Sequence, residues 1–317
     1  MNTNKHGLNF GKLLLRFLRF LAAGLLLVLV CSCALWPLPE HEVETPDQFS
    51  AGAGGAVNTT NRWWTNFQSL ELDALVGEAL TNSPGIQQAW ARLQQADAIA
   101  RKAGAARWPS ITAEASGSSR QNRSTRTSTE SYSLGLVASY ELDLWGRVHS
   151  AASAAALERV ASREQFSTVA MTLASQTALR WIGLISLQRQ ADLIRTQLDA
   201  NRDSLELVEL RFRRSQASAL DVFQQRQAVA ATEALLPQIA RAQDVQRNEL
   251  AALLGRADFQ GLEISAEKLP GIGNLPDTGI PATVLDNRPD VRQARLNLRA
   301  ADWQVRAARA DRLPAIR

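Results

Sequence analysis

Apolar side chains recur at helical spacing from Ile86 to Arg107, and Asn82, Ser83 and Pro84 ahead of them supply a cap and a first-turn proline. The pattern predicts a helix that Pro109 ends. The period then changes to two. Ile111, Ala113 and Ala115 alternate with polar residues over Ser110 to Gly117, as do Leu134, Leu136, Ala138 and Tyr140 over Ser133 to Glu141. These are two strands of about nine residues, the length of a tilted membrane-spanning β-strand. Arg120 to Glu130 is polar, rich in Ser and Thr and free of apolar side chains, and is expected to be a solvent-exposed loop. Alternation alone leaves open a surface hairpin on a soluble domain.

After Trp145 and Gly146, helical character runs almost unbroken to about Arg214. At 1.5 Å per residue such a helix extends on the order of 100 Å. Leu184, Leu187, Ala191, Ile194, Leu198, Asn201, Leu205, Val208 and Phe212 step by three and four, a coiled-coil seam. A second helix is expected from Leu220 to Leu254, with Val222, Val229, Leu236, Ile239, Leu250 and Leu253 on one side and Gly255 as its stop. Ser215 to Ala219 leaves room only for a tight reversal, so the two helices form an antiparallel hairpin. Pro237 should kink the second or free a backbone carbonyl.

The plan repeats. Pro84 to Ile111 aligns without a gap on Pro289 to Ile316, an offset of 205 residues, with 12 identities that include prolines at both ends. A repeat this long implies two similar halves rather than a short-period solenoid. The second copy stops one residue after Ile316, so the chain is expected to be C-terminally truncated, with most of a second half absent. Three copies would then supply six strands, fewer than the eight of the smallest membrane barrels, and a chain ending at Arg317 would not conduct.

Composition fits this picture: 45% hydrophobic but only 6% aromatic residues favour long helices over a sheet-rich globule. The net charge of +4 suggests a nucleic-acid binder until its position is noted. Lys5, Lys12, Arg16 and Arg19 lie in residues 1–32, which contain no acid; removing these four from 35 leaves 31 basic residues against 31 acidic. Nucleic-acid binding loses its support. The four charges precede the apolar run Leu21 to Val30 and then Cys31, Ser32 and Cys33, the order of a secretory signal. Val30 to Cys33 resembles a bacterial lipobox, which makes Cys33 the acylated first residue. An ordinary signal peptide with two incidental cysteines is the alternative. Ala34 after the cysteine points, by resemblance to bacterial lipoproteins, to the outer membrane. His6, His41 and His149 have no metal-ligand spacing, and neither a phosphate loop nor a clustered nucleophile is present, so no metal, cofactor or enzyme activity is expected.

At the junction of the second strand and the long helix stands YELDLWGR, namely Tyr140, Glu141, Leu142, Asp143, Leu144, Trp145, Gly146 and Arg147. It closely resembles the signature of the TolC-like outer-membrane efflux proteins, in the OprM/NodT-like lipoprotein branch. RWW at Arg62 to Trp64, NSPGI at Asn82 to Ile86, SALDV at Ser218 to Val222, LAALLG at Leu250 to Gly255 and RPDVRQA at Arg288 to Ala294 fit as well. The resemblance implies a mainly α fold with a small β part: a subunit of a long α-helical coiled-coil barrel plus a transmembrane β-hairpin, here with an incomplete second repeat. It implies a homotrimer in outer-membrane lipid that passively exports drugs or other small molecules, joined through a periplasmic adaptor to an inner-membrane pump. It also assigns the reversal Arg213, Arg214, Ser215, Gln216, Ala217, Ser218, Ala219, Leu220 and Asp221 to the periplasmic tip that the adaptor contacts. The family commonly has glycine where Ser215 stands. Asp143 and Arg147 are candidates to pair with each other or to cap the long helix; solvated junction charges are the other reading.

The expected organisation is a lipoprotein signal at 1–32, an N-terminal extended or equatorial segment at 33–82, a short helix at 83–109 and a transmembrane hairpin at 110–141. A long periplasmic helical hairpin at 142–255, an equatorial linker at 256–282 and the start of the second repeat at 283–317 follow. Two other readings stand beside the channel: a periplasmic adaptor-type lipoprotein, and a non-conducting truncated remnant of a channel.

Overall fold

The structure, a computed structural model, describes residues 62–122, 127–257, 264–266, 268–271 and 281–316. After a 3-10 turn at Trp63–Phe67 come α1 (Leu70–Asn82) and α2 (Pro84–Ala105), the strands β1 (Ser110–Asn122) and β2 (Thr127–Ser139), and α3 (Arg147–Arg213). The chain continues with α4 (Ala219–Glu233), α5 (Leu235–Leu254), α6 (Pro281–Asn287) and α7 (Pro289–Ala310). The fold is mainly helical. It divides into one unit holding Leu93–Arg163 with Val291–Arg317, and a second holding Thr45–Arg92 with Glu164–Asp290.

The second unit contains the largest apolar core among the described residues. Leu72, Val76 and Ala79 on α1, Trp181, Leu184 and Ile185 on α3, and Leu250 and Leu254 on α5 are buried together, with Trp64 beside them. Ser69 caps α1, its hydroxyl accepting the Leu72 N–H at 3.2 Å. Glu71 anchors the edge of this core. One carboxylate oxygen accepts the Trp181 Nε1–H at 2.8 Å; the other accepts the Ser265 N–H at 2.7 Å and its hydroxyl at 3.0 Å. Burial pushes the Glu71 carboxyl up, but the donors from Ser265 and Trp181 together outweigh it and hold the group below the usual glutamate range.

Gly255 ends α5 in the left-handed region at φ 74°, where the Arg256 N–H reaches back to the Ala251 carbonyl at 2.9 Å. A Cβ there would stand 2.5 Å from the Asn82 carbonyl oxygen, so both the backbone and the close approach of α1 require glycine. Arg256 then forks onto Glu78 at 2.7 and 2.8 Å, tying the end of α5 to α1.

Farther along α3, the seam residues Ala191, Ile194 and Leu198 are buried, and Ala191 and Ile194 pack with Ile239 of α5. Asn201 also lies on the seam and donates to the Thr232 hydroxyl of α4 at 2.9 Å. The helix expected from Leu220 to Leu254 is interrupted at Ala234. Pro237 explains the break: it has no N–H, and its ring collides with the carbonyl four residues back, that of Glu233, where α4 ends.

In the first unit, β1 and β2 pair antiparallel from Ser110↔Ser139 to Asn122↔Thr127. Both strands have 13 residues, so most of Arg120 to Glu130 is strand rather than the expected loop. The lack of apolar residues there misled the periodicity, because main-chain pairing needs no alternation. Hydroxyl pairs bridge the strands on one face, Ser116 with Ser133 and Ser118 with Ser131, each at 2.8 Å.

Candidate functional site

Two places carry the chemistry that the sequence singled out: the hairpin with its base, and the helical reversal after α3. Cys33 lies outside the described residues.

The register sorts the hairpin into two faces. Ile111 with Ala138, Ala113 with Leu136, Ala115 with Leu134 and Gly117 with Tyr132 lie on one face; Ser110 with Ser139, Thr112 with Val137, Glu114 with Gly135 and Ser116 with Ser133 lie on the other. Tyr132, Leu134 and Leu136 are 78–85% exposed, so the first face is apolar without anything packed on it. Tyr132 lies over Gly117, where an added Cβ would meet the ring at 3.2 Å. Its hydroxyl donates to Glu130 at 3.2 Å, which fixes a polar end at the top of the apolar face.

At the base, the octapeptide Tyr140 to Arg147 turns strand into helix. Gly146 adopts φ 70°. The Asp143 carboxylate accepts the Val148 N–H at 3.1 Å and the His149 N–H at 2.7 Å, capping α3 and placing negative charge at the positive end of the helix dipole. Arg147 turns instead to Glu141, which accepts from its Nε at 2.9 Å and from a terminal nitrogen at 2.6 Å; Asp311 stands 3.6 Å away. That hydrogen bond to Glu141, foremost, raises the Arg147 pKa against its partial burial.

The second repeat docks at the same point. The Leu142 N–H donates to the Ile316 carbonyl at 2.9 Å, and the Trp145 Nε1–H to the Pro314 carbonyl at 2.9 Å. His149 meets the Trp303 ring edge-on with centroids 5.7 Å apart, and Arg306 stacks on that ring at 4.6 Å. Sequence reasoning missed these links, although the 205-residue offset, which equates Ile316 with Ile111, carried the signal for the first.

At the reversal, Arg213 closes α3 and Ser215 takes φ 58°, the left-handed conformation glycine adopts without strain. The Ser215 N–H donates to the Phe212 carbonyl at 2.9 Å and the Gln216 N–H to that of Arg211 at 2.8 Å, a Schellman-type ending. Ser218 and Asp221 then form a capping box: the Ser218 hydroxyl accepts the Asp221 N–H at 3.2 Å, and the Asp221 carboxylate accepts the Ser218 N–H at 2.8 Å. That N–H, with the hydroxyl, holds the Asp221 carboxyl below its usual range. The cap is therefore complete at neutral pH and is lost as pH falls through the lowered value. Arg213, Arg214, Gln216, Ala219 and Leu220 are exposed and Ala217 is half-buried, with Phe212 and Phe223 exposed beside them. Ser215→Gly is expected to raise stability by about 0.5–1 kcal/mol in chemical denaturation, since glycine removes the left-handed strain.

The family model for outer membrane efflux protein matches residues 75–256. The pyoverdine export outer membrane protein OpmQ of Pseudomonas aeruginosa is 33% identical over 306 residues, which cover 91% of this chain and 64% of OpmQ. The solved outer-membrane channel OprN superposes with a TM-score of 0.78 at 26% identity, over 89% of this chain and 66% of that one. CusC gives a TM-score of 0.75 at 26% identity, over 89% and 65%. The chain spans somewhat less than two thirds of the length of the curated relatives it matches. Through the matched helices and the hairpin-base octapeptide alike, the chain belongs to the outer membrane efflux protein family.

Proposed function

We propose that this chain is a subunit of a trimeric outer-membrane channel, a passive conduit for small molecules in a tripartite efflux system with a periplasmic adaptor and an inner-membrane pump. Acylation at Cys33 anchors it, and the hairpin crosses the lipid. One observation carries the reading. The exposed apolar face of the hairpin runs between Tyr132 and Tyr140, eight residues apart on β2 and its continuation. Eight residues span about 27 Å along a strand. Tilted by about 40°, that is roughly 20 Å of height, close to the ~25 Å apolar band between aromatic girdles in outer-membrane barrels.

The opposite face, with its serine pairs and Glu114, suits the water-filled side of such a wall. Transport through it needs no catalytic group: polar lining and a closable constriction suffice. The reversal at Ser215, exposed and held by two caps, is the surface on which the adaptor docks. OpmQ is named for pyoverdine export and CusC for cation efflux, so the cargo of such conduits spans organic molecules and cations.

The test is topological. Ser128→Cys in the full-length protein should react with a membrane-impermeant maleimide added to intact cells, because β2 begins beyond Tyr132 on the outer side. Labelling only after the outer membrane is opened would overturn the channel reading in favour of a periplasmic adaptor.

A further inference from the structure

At the foot of the hairpin three large apolar side chains are uncovered, and an arginine precedes the first of them in the sequence. Trp108 is 74% exposed, Leu142 50% and Leu144 52%. Arg107 and Arg312 occupy equivalent places in the two repeats, each two residues before the proline that precedes the strand register. Both segments also meet the base of the hairpin. Arg107 reaches the His149 carbonyl at 3.4 Å in the first turn of α3, and the Arg312 segment is tied to the same turn region through Trp145 and the Pro314 carbonyl. Among the described residues, no carboxylate within 4 Å pairs with Arg107 or Arg312, whereas neighbouring Arg101 and Arg147 are held by Asp97 and Glu141. A cation without a carboxylate partner next to an uncovered indole, with a second such cation at the equivalent place of the other repeat, suits an interface between hydrocarbon and phosphate.

We propose that Arg107 and Arg312 bind the headgroup phosphates of anionic glycerophospholipid in the leaflet next to the helical side, with Trp108 seated at the level of the glycerol backbone. The inference rests on the reading that the hairpin crosses lipid. The charge of the patch selects the lipid: a zwitterionic headgroup returns part of the attraction as repulsion from its own ammonium, while a phosphatidylglycerol does not.

The test uses the full-length protein in vesicles carrying brominated acyl chains on either phosphatidylglycerol or phosphatidylcholine at the same mole fraction. The quenching that disappears in Trp108→Phe isolates this indole. At low salt the brominated phosphatidylglycerol should quench it several-fold more effectively, with about fivefold in lipid preference arising from each arginine. The preference should shrink at high salt, collapse to unity in Arg107→Gln/Arg312→Gln, survive in Arg107→Lys/Arg312→Lys, and be untouched by Arg195→Gln on distal α3. Equal quenching by the two lipids, or a preference that survives the double glutamine variant, would overturn the headgroup assignment while leaving the crossing intact. Absence of quenching by either lipid would put Trp108 outside the membrane and overturn the proposal, while Ser128→Cys labelling reports on the crossing separately.

Discussion

Leu136→Arg is expected to remove the protein from the outer membrane, while Gly135→Arg one residue away leaves its abundance close to normal. Leu136 lies on the apolar face, midway between Tyr132 and Tyr140, and is 78% exposed. With the hairpin crossing lipid as proposed, a guanidinium there would sit near the bilayer midplane at a cost of about 2–4 kcal/mol per subunit. That is a factor of about 30 or more in partition, and a threefold assembly incurs it three times. Gly135 faces the other way, directly opposite Glu114, with open space where a Cβ would go. An arginine at 135 gains a counter-ion across the ladder and stays on the polar face, away from the proposed lipid side. Quantifying both variants in outer-membrane fractions against wild type decides the matter. Similar abundance of the two would mean that the apolar face of the hairpin does not meet lipid.

Trp181→Ala should cost about 3–5 kcal/mol, the range for deleting a buried aromatic. Trp181 is 1% exposed within the cluster formed by α1, α3 and α5, and its N–H is one of the donors to Glu71. Trp181→Phe separates the two roles, since it keeps most of the packing and removes the donor; it should cost about 1–3 kcal/mol. Glu71 has a lowered pKa in the folded protein, so its contribution is present above its ordinary value of 4.5 and is lost as pH falls through the lowered one. Denaturation followed by helical circular dichroism should show a shallower loss of stability in that acid window for Trp181→Phe. An unchanged acid profile would mean that the donors of Ser265 and Ala266 hold the carboxylate without Trp181.

Much of this fold was legible because its signals are local. The seam from Leu184 to Phe212 and the proline at 237 each act within a few residues, and α3 and the break at Ala234 follow from them. The length of the hairpin was not legible. Beyond Gly117 and Tyr132 the strands are held by backbone bonds and the Ser118–Ser131 hydroxyl pair, which leave no apolar period to read. The base was only half legible. Asp143 and Arg147 were recognised as junction charges, yet the partner of Arg147 is Glu141, and Leu142 and Trp145 are held by a segment about 170 residues away. Contacts of that span follow from the closure of the repeat, and no local window contains both partners. The left-handed turn at Ser215 was obscured because serine does not advertise positive φ as glycine does.

The interruption at Ala234 has a consequence for how this lineage can vary. In an unbroken helix, adding one residue rotates everything downstream by about 100° and swings its buried stripe toward water. Here α4 takes its phase from Asn201 and the reversal, and α5 takes its own from Ile239, Leu250 and Leu254. The joint between them acts as an expansion gap: a residue gained or lost beside Ala234 is absorbed where it occurs, whereas the same change in the middle of α3 would turn one end of that helix out of its neighbours.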